Sequence, residues 1–390
     1  MTLNRYRASI LLGAFGDTLG YHNGHWEFCY NTKQIRKEFI EEGGSTQINL
    51  KNLIVSDDTV LHLATIRALI KSHSESKEKA LNIAKEEFVH SYYSDMIGRA
   101  PGTTTGKSMA LLKKGLVPDF NLAHKTCGGA MRASAIGLRY HKSEDYEHLL
   151  WASIEFCRLT HNGPNAYMGS FLNALFTAYA INQIPANQWI LKAIETQDSV
   201  LEYIKKLPEG EKHIEYINWI YEFLIVYYEF RYPDEVTINN KVYNKDPTYP
   251  YFTESYEYNS HHMDEIYDSL SIEPDGSKSW AGSCGISSVL IAYDALIHSI
   301  YYNQYYNENI NDEIYQKQDM VDIKFYENAW HIVIQAGILH AGDNDSTGII
   351  VCGWYGALFG ARGVTKNLIE DLEYLDDMWS LSESLYKIAK

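Results

Sequence analysis

Apolar residues along this chain recur mostly at intervals of three and four, the spacing that lines them along one face of a helix. Val60–Leu69 places Leu61, Ala64, Thr65 and Ala68 in that way. The same reading predicts helices over Lys77–Tyr93, Thr105–Lys114, Tyr146–Arg158, Pro164–Ala180, Ala186–Ile204, Glu211–Phe230, Val289–Tyr301, Lys324–Leu339, Ser346–Phe359 and Asn367–Ile388. Strict alternation is scarce, and only Val236–Tyr243 reads as a small hairpin turning at Asn239-Asn240. The expected fold class is all-α: a compact, single-domain multi-helix bundle whose glycine-rich connections converge on one face.

Two stretches lack the helical period. Residues 232–279 are rich in Tyr, Asn, Pro and Asp, and 303–319 are polar. Both read as insertions within one domain spanning 1–390, and no internal repeat is evident. Near the N-terminus a short apolar stretch, Ile10–Phe15, is interrupted at Asp17. No run approaches membrane-spanning length, so neither a signal peptide nor a transmembrane segment is expected, and a cytoplasmic location is.

Charge narrows the partners. Fifty acidic against 34 basic residues give a formal net charge of -16, which repels nucleic acid and anionic membrane. Five cysteines are scattered with no C-x-x-C pair, and the odd count argues against a disulfide framework and for a reducing compartment.

Two clusters of acids and hydroxyls carry the candidate chemistry: Ser56-Asp57-Asp58-Thr59 and Asp343-Asn344-Asp345-Ser346-Thr347, each opening an apolar helix. Singly, each reads as a helix N-cap, where side-chain oxygens accept the free N–H groups of the first turn. Jointly they point to a metal site, because Asp57, Asp58, Asp343 and Asp345 cannot all stay ionised at close range unless protons or cations neutralise them. Oxygen donors suit hard cations such as Mg²⁺ or Mn²⁺. Gly342 and Gly348 flank the second cluster and permit a tight backbone there.

Other motifs admit structural readings beside functional ones. Gly102-Thr103-Thr104-Thr105-Gly106-Lys107-Ser108 falls one residue short of a P-loop, with Pro101 where its first glycine belongs and no preceding strand; a nucleoside triphosphatase is rejected. Cys127-Gly128-Gly129-Ala130-Met131-Arg132 suits either close backbone approach to a ligand or helix packing. His161 is either a capping histidine or a ligand contact. Glu27 lies in an aromatic setting that could hold a carboxylate beside a reacting centre, or it is a surface acid. After Trp280-Ala281-Gly282-Ser283-Cys284-Gly285, Trp280 could form a cation pocket with Tyr293 and Asp294, with core packing the alternative for Tyr293.

Taken together, Gly16–Leu19 with Gly20–Phe28, Ser56–Leu69, Gly98–Gly102, Gly128–Arg132, Thr160-His161, Trp280–Gly285 with Ile291–Leu296, and Gly342–Gly348 resemble the ADP-ribosylglycohydrolase family, most closely its ADP-ribosylarginine hydrolase branch. The similarity runs in order over about 5–180 and 278–389. The resemblance implies two Mg²⁺ ions, with Mn²⁺ as an alternative, bound by Ser56, Asp57, Asp58, Asp343, Asp345 and Ser346, with Thr59 and Thr347 as extra candidates. It implies ADP-ribose contacts from Gly102, Thr103, Thr104, Gly128, Gly129 and His161, and further substrate contacts from Trp280, Gly282, Ser283 and Tyr293. Asp57, Asp58 and Glu27 take the catalytic roles. The implied reaction removes ADP-ribose from arginine side chains of modified proteins, by a monomer. Serine-linked ADP-ribose, ADP-ribose polymer and a non-catalytic ADP-ribose binder are the alternatives. One departure concerns acceptor-side recognition: Ile286-Ser287-Ser288 follows Gly285 where a more polar run is expected.

Overall fold

The structure is a computed structural model that describes residues 2–232, 235–238, 241–244, 260–309 and 318–390. Among them run eighteen α-helices: α1 (Leu3–Tyr21), α2 (Thr32–Glu41), α3 (Gly44–Gln47), α4 (Asp57–Lys71), α5 (Lys77–Ser94), α6 (Thr103–Leu112), α7 (Ser134–Arg139), α8 (Tyr146–Arg158), α9 (Pro164–Ile181), α10 (Trp189–Ile194), α11 (Gln197–Lys205), α12 (Ile214–Arg231), α13 (Ser260–Ser269), α14 (Gly285–Asn309), α15 (Gln318–Gly337), α16 (Asn344–Phe359), α17 (Asn367–Glu370) and α18 (Leu375–Ala389). The one sheet among the described residues is the expected hairpin, β1 (Glu235–Ile238) antiparallel to β2 (Lys241–Asn244), with Val236 opposite Tyr243. The all-α expectation holds.

Helices α1, α9 and α16 are buried on nearly every face, which removes the one-sided pattern that marks surface helices. The apolar stretch at Ile10–Phe15 is therefore the middle of a 19-residue helix. Asp17 does not end it, because its carboxylate turns inward to accept hydrogen bonds from another element.

Two long predictions break into pieces. Within 186–204, α10 and α11 separate at Thr196, whose Oγ1 lies 2.6 Å from the Ala193 carbonyl and 3.0 Å from the Tyr221 hydroxyl. Within 367–388, Tyr374 adopts a left-handed backbone (φ 59°) between α17 and α18. The 232–279 stretch holds the hairpin and α13. The expected insertion at 303–319 spans the end of α14 and the start of α15, and its centre, 310–317, lies outside the described residues. All five cysteines are free, and among the described residues no helix is long and apolar enough to cross a membrane.

Candidate active site

Small residues set the geometry of the site. A Cβ on Gly16 would overlap the Gly348 carbonyl, one on Gly20 would overlap the Asn344 backbone, and one on Gly356 would overlap Ala8. Helices α1 and α16 therefore cross backbone to backbone, and the start of α16 is carried to the end of α1. From α1, Asp17 reaches the start of α4: its carboxylate accepts the Ser56 N–H at 3.1 and 3.2 Å and the Thr59 N–H at 3.0 Å. Residues 56–59 and 343–347 are thus gathered around one helix end.

Capping accounts for only part of the acid content. The Asp58 N–H bonds Ser56 Oγ at 3.1 Å, and the Asp57 N–H bonds the Arg99 carbonyl at 3.1 Å. With Asp17 these partners satisfy the first turn of α4 without the Asp57 or Asp58 carboxylates. At α16, Asp343 Oδ1 and Asp345 Oδ1 accept the Ser346 N–H at 3.3 and 2.9 Å. The two clusters meet directly, since Ser346 Oγ donates to Asp58 Oδ2 at 2.9 Å across 288 residues of chain. Cys127 Sγ lies 3.2 Å from Asp343 Oδ2 and 3.3 Å from Ser346 Oγ.

Burial and mutual repulsion dominate the electrostatics. Asp57 and Asp58 are pushed well above the usual carboxylate range, first by burial and then by the Asp345 charge. Asp345 is raised likewise, by burial and then by Asp343. Asp343 is pushed up to about 6, chiefly by burial, and Glu27 to about 9, by burial and then by Asp345 and Asp17. In Asp17 burial raises the pKa while its bonds from Ser56 and Thr59 lower it.

Carboxylates held this close need a proton or a cation to settle their charge, and the oxygen-only donor set of Asp57, Asp58, Asp343, Asp345 and Ser346 suits a hard divalent ion. Among the described residues, no group of three or more His, Cys, Asp or Glu side chains is already arranged to hold one. Of the extra candidates, Thr347 Oγ1 is engaged by the Asp343 carbonyl at 2.9 Å and by His340 Nε2 at 2.8 Å.

The remaining predicted residues divide into three groups. Glu27 joins the cluster electrostatically, and Phe28 beside it bonds the Gly342 carbonyl through its N–H at 2.8 Å. Ala281, Gly282 and Ser283 line up beside the start of α16: the Asp343 N–H bonds the Ala281 carbonyl at 2.8 Å, and Gly282 (φ 81°) passes so close that a Cβ would meet Thr347 Cγ2 at 2.8 Å. The Cys127 N–H bonds the Ser283 carbonyl at 3.0 Å and so ties in the Gly128-Gly129 turn.

In the second group packing explains Gly128, Gly129 and His161 but not the residues at the start of α6. A Cβ on Gly128 would strike the His161 ring at 2.6 Å, and one on Gly129 would overlap Cys157 Sγ. His161 is itself buried, with Nδ1 2.8 Å from Thr160 Oγ1, and burial lowers its pKa well below the usual histidine range. Gly102 and Thr103 are exposed at the start of α6, with Thr104 half-buried.

Tyr293 and Asp294 form the third group, and the expected pocket joining them to Trp280 is absent. Both lie two turns inside α14 and face the core. Tyr293 donates to the Ala186 carbonyl at 2.9 Å beneath Phe176 and Trp189, and Asp294 pairs with Arg231 and with Tyr227, whose hydroxyl is 2.7 Å away. Trp280 stands apart at the surface against Phe28 and Tyr30.

Sequence reading gave no role to Asp17 or Arg99 and none to the Cys127 thiol. A polar residue inside the apolar run of α1 was the available signal for Asp17, since a buried carboxylate requires donors.

Comparison with known proteins identifies the family. The ADP-ribosylhydrolase ARH1 of Dictyostelium discoideum is 32% identical over 408 residues, covering 98% of this chain and 94% of that protein. The putative ADP-ribosyl glycohydrolase L444 of Acanthamoeba polyphaga mimivirus is 27% identical over 402 residues, covering 97% and 69%. A solved structure described as an ADP-ribosylglycohydrolase-related protein complex superposes over 100% of this chain and 99% of its own, with a TM-score of 0.50 at 15% identity, a likeness of fold. A family model described as ADP-ribosylglycohydrolase matches residues 1–390, so the chain whose two acidic helix starts meet at one end of α1 belongs to the ADP-ribosylglycohydrolase family.

Proposed function

We propose that this family hydrolase cleaves the N-glycosidic bond between ADP-ribose and the guanidinium of arginine in modified proteins, with Mg²⁺ or Mn²⁺ as cofactor. The observation that carries the reading is the Ser346–Asp58 bond, which joins two acidic helix starts from opposite ends of the chain.

Asp57, Asp58, Asp343, Asp345 and Ser346 would hold two divalent ions, which when bound supply a template for the ribose hydroxyls and a more acidic water. The residues of the chain do the rest. An Asp57 or Asp58 carboxylate takes the proton of the attacking water. Glu27, a half-buried carboxyl whose charge is coupled to Asp345, serves the departing guanidine as acid. The surrounding carboxylates favour the positive, oxocarbenium-like state of the ribose at the moment of cleavage. The exposed small residues Gly102 and Thr103, with Thr104, offer N–H groups at the start of α6 to the pyrophosphate. The Gly128-Gly129 turn with His161, and Gly282 with Ser283, would contact the rest of the substrate.

The test is incubation of arginine-linked and serine-linked ADP-ribosyl peptides with the protein, with and without chelator. Free ADP-ribose is expected from the arginine-linked peptide only while metal remains. Release from the serine-linked peptide alone would move the assignment to O-glycosidic substrates. Binding of ADP-ribose without release from either peptide, whatever divalent ion is supplied, would make the chain a non-catalytic binder.

A further inference from the structure

We propose that Phe28, Trp280 and Tyr30 form an aromatic bracket at the mouth of the site that docks the cationic protein segment carrying the modified arginine, an inference that rests on the activity proposed above. The Trp280 ring lies 4.6 Å from Phe28 at 67° and 5.0 Å from Tyr30 at 71°, centroid to centroid. Trp280 is 47% exposed and Tyr30 68%. A single exposed ring is ordinary, whereas a half-exposed tryptophan held edge-on by a ring on either side, next to an acidic helix start, marks a binding surface.

The backbone aims the bracket at the acid cluster. Phe28 holds a left-handed conformation (φ 55°) that a bulky side chain rarely adopts, and its N–H is fixed to the Gly342 carbonyl. On the next residue the Asp343 N–H is fixed to the carbonyl of Ala281, the neighbour of Trp280. The rings therefore flank the start of α16, and Phe28 directly follows Glu27. Strain kept at such a position points to a use.

Charge selects the occupant. Aromatic faces attract guanidinium and ammonium groups, and the rings open from a carboxylate cluster in a chain of net charge -16. A segment with Lys or Arg around the modified residue fits both features, and an acidic segment fits neither. Adenine stacking is the competing use of the rings, and the test separates it.

Two unmodified, fluorescently labelled peptides, each with a central arginine flanked by lysines or by glutamates, are titrated with the full-length protein at low salt. ADP-ribose affinity is measured alongside by calorimetry. Because neither measurement involves bond cleavage, failure of the arginine hydrolase assignment and failure of the bracket are read separately. The wild type should prefer the lysine-flanked peptide. Trp280→Ala and Tyr30→Ala should each weaken that peptide about 3- to 10-fold while Trp280→Phe restores most of the loss. ADP-ribose should bind the variants as it binds the wild type. Equal binding of the two peptides by the wild type, or unchanged peptide binding in both alanine variants, overturns the proposal. A loss of ADP-ribose affinity that parallels the peptide loss overturns it too and assigns the rings to adenine.

Discussion

At the start of α4 the capping bonds come from Asp17, Ser56 and the Arg99 carbonyl, which leaves the Asp57 carboxylate without a capping task and Asp58 turned to Ser346. Replacing Asp57 or Asp345 with Asn keeps the size and much of the hydrogen bonding while removing charge. Turnover of arginine-linked ADP-ribose should fall by at least about 100-fold with the circular dichroism spectrum unchanged. Near-normal rates at saturating substrate and Mg²⁺ would remove both residues from the mechanism. The raised carboxylate pKa values also fix a pH dependence. Between about pH 4 and the raised values the folded state holds protons that the unfolded chain has released, so these groups cost stability as pH rises through that window. A divalent ion replaces those protons. The increase in Tm on adding Mg²⁺ should therefore be larger at about pH 8 than at about pH 5, and an increase independent of pH would contradict the shared cage.

At the scale of elements, the crossing of α1 on α16 decides whether the two clusters meet. Gly20 has no room for a Cβ beside Asn344, whereas a Cβ on Gly353 would stand 3.6 Å from the Ser9 carbonyl, an ordinary contact. Gly20→Ala should cost about 1–3 kcal/mol by overpacking, and Gly353→Ala should be neutral or stabilise by up to about 1 kcal/mol through better helix propensity. Urea denaturation of both variants separates them. The Mg²⁺-induced rise in Tm should shrink in Gly20→Ala only, because the Cβ pushes the start of α16 away from α4. Equal behaviour of the two variants would show that the close crossing does not position the cluster.

At the scale of the whole molecule, the C-terminal segment also reaches the site. Glu373 accepts the Val55 N–H at 3.1 Å and grips Arg99 at 2.7 and 2.9 Å, while Arg99 returns a bond to the Val55 carbonyl at 2.8 Å. The left-handed Tyr374 that splits α17 from α18 lets the chain make this contact, and its hydroxyl accepts from Arg99 at 2.8 Å. This ring of bonds braces the backbone from Val55 to Asp57. Glu373→Ala leaves the buried Arg99 with one carboxylate partner fewer and should lower stability by about 3 kcal/mol. It should also weaken Mg²⁺ binding measured by calorimetry, although Glu373 belongs to neither acidic cluster. Lowered Tm with unchanged Mg²⁺ affinity would confine Glu373 to a structural role.

The sequence by itself determined what is local. The period of three and four produced the all-α class, and Tyr146–Arg158 matches its helix residue for residue, because the spacing of its apolar face is a local property. Ser, Asp and Thr at two helix starts made the oxygen-donor chemistry legible, since donor type and spacing are properties of adjacent residues. The order of the family motifs was legible for the same reason. Tertiary structure alone decided what depends on distant partners. Asp17 read as an interruption of an apolar run until its donors on α4 were known, and Tyr293 and Asp294 stood as pocket candidates until α14 placed them in the core. The hydrogen bond from Ser346 to Asp58 is decided by glycines that let two backbones touch, a contact between residues hundreds of positions apart that no local pattern encodes.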